Sequence, residues 1–169
     1  SKDEVQVLGH IISYHGIETM KTKTEAISLI PRPTTVTEVK SFLGAVNFYR
    51  NFIPSCSAVA EPLIELTCGK RVKNITHWSE KCQRAFEQPK KILSSAPILK
   101  FPDLSKPFWL ETNASNVGLG AVLSQFHDQD GTKLRIPIAF ASKSLNKAQR
   151  NYSTTDREGL AVVWGVKHF

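Results

Sequence analysis

The chain has 169 residues, 41% of them hydrophobic, which suffices for one medium domain or two small ones around a buried core. Its formal net charge of +7 suits a polyanionic partner, nucleic acid above all, without requiring one. No run of about 18 apolar residues exists, so no membrane span is expected, and three scattered cysteines without a C-x-x-C pair argue against a disulfide framework or a zinc finger.

The charge is uneven. Residues 1–100 carry 14 Lys/Arg against 9 Asp/Glu, a balance of +5; residues 101–169 carry 8 against 6, a balance of +2. Cys56, Cys68 and Cys82 read as buried or neutral thiols in a reducing compartment. The start, SKDEVQ, is polar and charged, so no secretory leader is expected. Both ends read as cut, so a piece of a longer protein is expected.

Residues 4–18 (EVQVLGHIISYHGIE) are rich in β-branched side chains and punctuated by Gly9 and Gly16. They predict a strand pair or a bent strand, with a turn at His15-Gly16. Pro31 and Pro33 then block any helix before them. Thr35 followed by Glu38 is a capping box, and Val39, Phe42, Leu43, Val46, Tyr49 and Ile53 recur at helical spacing as far as Pro54. EPLIELT, residues 61–67, predicts one or two turns with Pro62 in the first. CGKRVKNI is a basic loop. A second helix starts at Ser79, with Cys82, Ala85, Phe86, Ile92 and Leu93 on one face. Pro89 lies inside it, at a cost of about 3 kcal/mol or a kink.

SAPILKFPDLSKP holds three prolines in thirteen residues and marks a boundary near 97–107. FWLETN, LGAVLSQ and RIPIAFAS follow as three strands, the last two joined through an Asp-Gly turn in HDQDGTK. NYSTTDREGLAVVWGVKHF predicts a helix capped near Ser153 or Thr154, with Leu160, Val163 and Trp164 on one face. The sequons at Asn74, Asn113 and Asn151 are read as chance.

Six blocks in this order are similar to the Pol polyprotein of gypsy-type LTR retrotransposons and their retroviral relatives: LGHIISYHGIE, PRPTTVTEVKSFLGAVNFYRNFIP, AEPLIELT, HWSEKCQRAFEQPKKILSSAPIL, FPDLSKPFWLETNASNVGLGAVLSQ and RIPIAFASKSLNKAQRNYSTTDREGLAVVWGVKHF. The resemblance covers nearly the whole chain. It implies an α+β or α/β fold: a helical thumb-like subdomain, then a truncated ribonuclease H-like mixed sheet with one helix. The implied divisions are the end of a reverse-transcriptase palm (1–30), a thumb (31–96), a Pro-rich linker (97–106) and a partial ribonuclease H-like domain (107–169).

The family's polymerase hairpin, Tyr-x-Asp-Asp, has no match here. LGHIIS resembles the primer grip, which places that role on Leu8, Gly9 and His10; by the residues alone it is a hairpin with a glycine turn. The helix after Thr35 resembles the thumb helix that follows the duplex, so Lys40, Asn47 and Arg50 are expected to meet phosphates. Phe48, Tyr49 and Phe52 are expected in the core.

The family's ribonuclease H site holds two Mg²⁺ ions on acidic residues. The first belongs to a Thr-Asp-(Ala/Gly)-Ser strand end and the second is a helix Glu. Here the strand end is Thr112-Asn113-Ala114-Ser115, and Glu158 matches the helix Glu. A carboxamide offers one neutral oxygen and a repelling NH₂ where a carboxylate would offer two anionic oxygens. Asn113 with Glu158 is thus expected to be a vestigial metal site, with Mg²⁺ not bound productively. Glu111, on the same strand face, is a weak substitute. The implied partners are an RNA–DNA hybrid or another duplex and the rest of the polyprotein, in an intracellular setting: cytoplasm, nucleus or a virus-like particle. A non-catalytic nucleic-acid-binding module and a decayed element are the alternatives to a polymerase–nuclease fragment.

Overall fold

The computed structural model describes residues 4–68, 74–75, 77–129 and 131–169. The chain opens with an antiparallel meander: β1 (Glu4–Val7), β2 (His10–Ser13) and β3 (Gly16–Thr19). Val7 pairs with His10, so Leu8 and Gly9 form a two-residue turn. Both have positive φ, 47° and 84°, the mirror-image geometry whose twist matches its strands. The second turn lies at Tyr14-His15, one residue earlier than expected, because Gly16 already pairs with Ser13.

Four helices follow: α1 (Lys21–Ser28), α2 (Val36–Phe48), α3 (Cys56–Thr67) and α4 (Glu80–Ser94). α1 corrects the expectation that Pro31 and Pro33 block any helix before them: it ends at Ser28, short of both prolines, and its eight residues carry no side-chain cap. α2 starts as its capping box dictates. Thr35 Oγ1 accepts the Glu38 amide at 3.2 Å, and the Glu38 carboxylate accepts the Thr35 amide at 3.3 Å. It ends at Phe48, and Arg50–Phe52 continue as a 3₁₀ turn.

α3 corrects the sequence reading. It has twelve residues, and Pro62 sits in its interior rather than its first turn. The helix starts earlier, at Cys56, because Ala60 and Leu63 face the core together with Cys56. α4 is not interrupted at Pro89, whose ring is fully buried; burial offsets part of the lost backbone bond. Of the expected basic loop, residues 69–73 lie outside the described residues.

Val39, Phe42 and Val46 of α2, Leu63 of α3, and Phe86 and Leu93 of α4 are each at most 1% exposed and form one core with Phe52 and Ile53. Burial of each large side chain stabilises by about 1.5–3 kcal/mol, so this cluster dominates the helical half. Phe140 from the second sheet joins the same cluster.

That sheet has the order β4 (Trp109–Ala114), β5 (Gly118–Gln129) and β6 (Thr132–Ser144), antiparallel throughout. β5 and β6 run longer than expected. Gln129 pairs with Thr132 across a turn that contains Gly131; Asp130 of the expected Asp-Gly pair lies outside the described residues. The register shifts between Leu123 and Ser124, opposite Pro137, where a residue without an N–H is tolerated. α5 (Thr154–His168), capped by Ser153, crosses one face of this sheet. A Cβ on Gly165 would stand 2.9 Å from Thr112 Cγ2, so helix and strand meet at van der Waals distance.

The two halves are joined by polar contacts. The Arg50 guanidinium donates to the Ser142 carbonyl, and the Ser57 amide donates to the Ser142 hydroxyl at 3.0 Å. Arg150 pairs with Glu61 at 3.0 Å. The Pro-rich segment is also tied down. Leu99 exchanges two backbone bonds with Ile17, and buried Gln125 accepts from the Asp103 amide and donates to the Asp103 and Lys106 carbonyls.

Candidate nucleic-acid interface

α2 presents an open stripe at Lys40, Gly44 and Asn47, spaced four and three residues apart and all exposed. A Cβ built on Gly44 would meet nothing within 4 Å, so a partner can approach the helix backbone closely there. The stripe borders a groove of about 370 Å³ floored by Val46, Cys56 and Ala60 and edged by Arg50, Ser57 and Ser144. Burial pushes the Cys56 thiol up, with the Arg50 charge opposing it; the group is poorly suited to act as a thiolate.

The Leu8-Gly9 turn lies against the C-terminal end of α2. The Tyr49 hydroxyl donates to the Gly9 carbonyl at 3.0 Å, and a Cβ on Gly9 would fall 2.9 Å from that hydroxyl. Leu8 is 83% exposed at its left-handed φ, a strained setting for a branched side chain. The His10 ring faces inward, 5.2 Å from the Phe48 ring, 5.3 Å from Tyr49 and 5.7 Å from Phe52. An open apolar groove of about 710 Å³ runs beside the turn, lined by Ile27, Ile30, Ala45 and Phe48 with Lys23 at its edge.

Among the expected contact residues, Leu8, Lys40 and Asn47 therefore face outward, while the Gly9 carbonyl, His10 and Arg50 are engaged internally. Arg50 reaches Ser142 because the 3₁₀ turn after Phe48 rotates it off the α2 stripe. Tyr49 and Phe52 are buried as expected, but Phe48 is 51% exposed. It belongs with the outward set, and helical spacing alone puts it next to buried Tyr49, which hid this.

The second polar cluster lies at the end of β4. Thr112 faces α5, since it touches Gly165. Asn113 pairs with Gly120, and Gly120 faces Ser55 at the start of α3. Asn113 therefore points away from α5. Glu158 lies one turn before buried Ala161, which clusters with Leu119 and Ala114, and so belongs to the α5 side of that strand end. Both side chains are exposed. Glu111 shares the Asn113 face, yet its carboxylate is paired with Arg135 at 2.5 Å. Asn113 and Glu158 thus supply one carboxylate between them from two faces. A pair of divalent cations needs several convergent anionic oxygens, so these residues do not fit Mg²⁺. Among the described residues, no group of three or more His, Cys, Asp or Glu side chains is placed to hold a metal ion.

The second sheet and α5 have the strand–strand–strand–helix arrangement of a ribonuclease H-like protein. The family profile described as the RNase H-like domain found in reverse transcriptase matches residues 78–169, and the chain belongs to that family. The matched span includes α4 as well as the second sheet.

The chain is 42% identical over 171 residues to the retrovirus-related Pol polyprotein from transposon opus of Drosophila melanogaster, covering 96% of this chain and 17% of that protein. It is 38% identical to the corresponding polyprotein from transposon gypsy of the same organism, covering 98% of this chain and 16% of that one. The chain thus spans less than a fifth of these relatives' length. Two solved structures of the foamy viral protease-reverse transcriptase are also similar over 98% of the chain at 26% identity. The complex with double-stranded DNA gives a TM-score of 0.77 and 33% coverage of that chain; the complex with an RNA/DNA hybrid gives 0.74 and 22%. No helix among the described residues is long and apolar enough to cross a membrane.

Proposed function

We propose that this chain is the palm end, thumb and first part of the ribonuclease H-like domain of a retrotransposon reverse transcriptase, and that it holds a nucleic-acid duplex without cutting it. The parent polyprotein would be an RNA-directed DNA polymerase and a magnesium-dependent ribonuclease on the RNA of a hybrid. The divisions at residues 30, 96 and 106, an intracellular setting and the remaining polyprotein as partner belong to the same proposal.

The observation that carries the reading is the outward stripe of Lys40, Gly44 and Asn47 beside the Leu8-Gly9 turn. It offers one cation, one amide and an accessible helix backbone, a set suited to phosphate and sugar contacts without base selection. The foamy viral enzyme, named in complexes with double-stranded DNA and RNA/DNA hybrid, supports it by analogy. His10 and Arg50 act here as supports of that surface. Asn113 supports the absence of cutting, because a carboxamide cannot replace a bridging carboxylate.

The test is fluorescence anisotropy of a labelled RNA–DNA hybrid across a salt series, with Mg²⁺-dependent cleavage followed in the same samples. Salt-sensitive binding weakened by Lys40→Gln, with intact RNA throughout, is expected. Hybrid cleavage that is abolished by Glu158→Gln would overturn the non-cutting reading, and salt-independent binding would overturn the interface.

A further inference from the structure

Three elements meet at the Gly9 carbonyl. It belongs to the Leu8-Gly9 turn of the first sheet and accepts two bonds, from the Met20 amide at 3.1 Å where α1 begins and from the Tyr49 hydroxyl at 3.0 Å where α2 ends. Tyr49 is 3% exposed: its ring belongs to the core, while its hydroxyl reaches the turn. The turn needs such a hold. Leu8 has a φ of 47°, and a branched side chain in that region is strained and persists only where its surroundings fix it. Leu8 is itself 83% exposed, so packing of its own side chain does not supply the hold. The Val7–His10 pair and the two bonds at the Gly9 carbonyl do, and among these hydrogen bonds only that from Tyr49 ties the turn to α2.

The turn is set against the end of the outward stripe. Lys40, Gly44 and Phe48 are spaced four residues apart and so lie along one side of α2. Phe48 is half-exposed, and its Cε1 would stand 3.4 Å from a Cβ on Gly9. Leu8 and Phe48 also line the same open apolar groove. The outward side of α2 therefore runs on through Phe48 into the turn and its exposed Leu8.

We propose that Tyr49 is a positioning residue for the duplex interface: its hydroxyl, acting through the Gly9 carbonyl, holds Leu8 beside Phe48, so that an apolar pair continues the stripe of Lys40, Gly44 and Asn47. Such a pair suits the sugars of a backbone rather than its phosphates, so its loss is read in affinity and not in counterion release. This role rests on the stripe being a nucleic-acid surface.

Anisotropy of a labelled RNA–DNA hybrid with the full chain tests it, comparing wild type, Tyr49→Phe, Leu8→Ala, their double variant and Lys40→Gln across a salt series. Tyr49→Phe keeps the ring in the core and leaves the Met20 amide on the Gly9 carbonyl, so the fold persists; a thermal melt sets a temperature at which every variant is folded. Tyr49→Phe is expected to weaken binding about threefold to tenfold with the salt slope unchanged. In that background Leu8→Ala is expected to cost much less than in wild type, the mark of a residue acting through another, which a loss of stability alone would not give. Ser153→Ala, which removes the α5 cap, controls for stability and is expected to leave affinity unchanged. Additive losses from Tyr49→Phe and Leu8→Ala, or wild-type affinity in Tyr49→Phe, while Lys40→Gln still lowers the salt slope, would overturn the positioning role and leave the interface standing. A salt slope that Lys40→Gln does not change would overturn the interface and this role with it.

Discussion

Arg50 separates a structural role from a nucleic-acid role within one helix–turn segment. Arg50→Met removes a charge-assisted hydrogen bond to the carbonyl of Ser142, a residue only 6% exposed. Such a bond contributes about 1.5–3 kcal/mol when intact, and the half-buried position of Arg50 favours the lower end, about 1.5–2 kcal/mol. For a chain of this length that corresponds to a fall of about 3–8 °C in Tm. Urea denaturation and a thermal melt measure it directly. The same variant is expected to leave the salt slope of hybrid binding unchanged, whereas Lys40→Gln should reduce that slope by about one and leave the unfolding free energy within about 0.5 kcal/mol of wild type. An Arg50→Met protein of unaltered stability whose salt slope is shallower by about one would refute the reasoning, because Arg50 would then be spending its charge on phosphate rather than on the second sheet.

Two further outcomes follow from close approach and from capping. Gly120→Ala places a Cβ 2.5 Å from Ser55 Oγ, where β5 meets the start of α3. A loss of about 1–3 kcal/mol in urea is expected, relieved by adding Ser55→Gly, which also suits the positive φ of 50° at that residue. The carboxyl of Glu38 is held below its ordinary value of 4.5 by the backbone amides of Thr34 and Thr35. Its folded-state affinity for protons is therefore lower than in the unfolded chain, so its contribution is present above pH 4.5 and lost as pH falls below that. Wild type minus Glu38→Gln stability should shrink through that acid range, and a difference constant from neutral to acid pH would contradict the cap.

By itself the sequence determined what local chemistry controls. The capping box at Thr35 and Glu38, the Ser153 cap, the apolar spacing of α2 and the alternation of β4 each involve residues within one or two turns of chain, and each reappears in the structure. The carboxamide at Asn113 was equally plain, since a missing carboxylate is a matter of identity. Only the tertiary structure decided matters that depend on what packs from elsewhere. Gln125 is an ordinary strand residue until the loop at Asp103–Lys106 folds over it, Pro89 looks like a break until neighbouring helices bury it, and Pro62 looks like a first-turn residue until the core draws α3 back to Cys56. Arg50 looks like a phosphate ligand until Ser142 arrives from 92 residues away. Strand alternation likewise turns Asn113 away from α5, the helix that carries Glu158. Propensity and period are short-range properties, whereas the direction of a side chain's partner is fixed by contacts whose sequence separation no local pattern encodes.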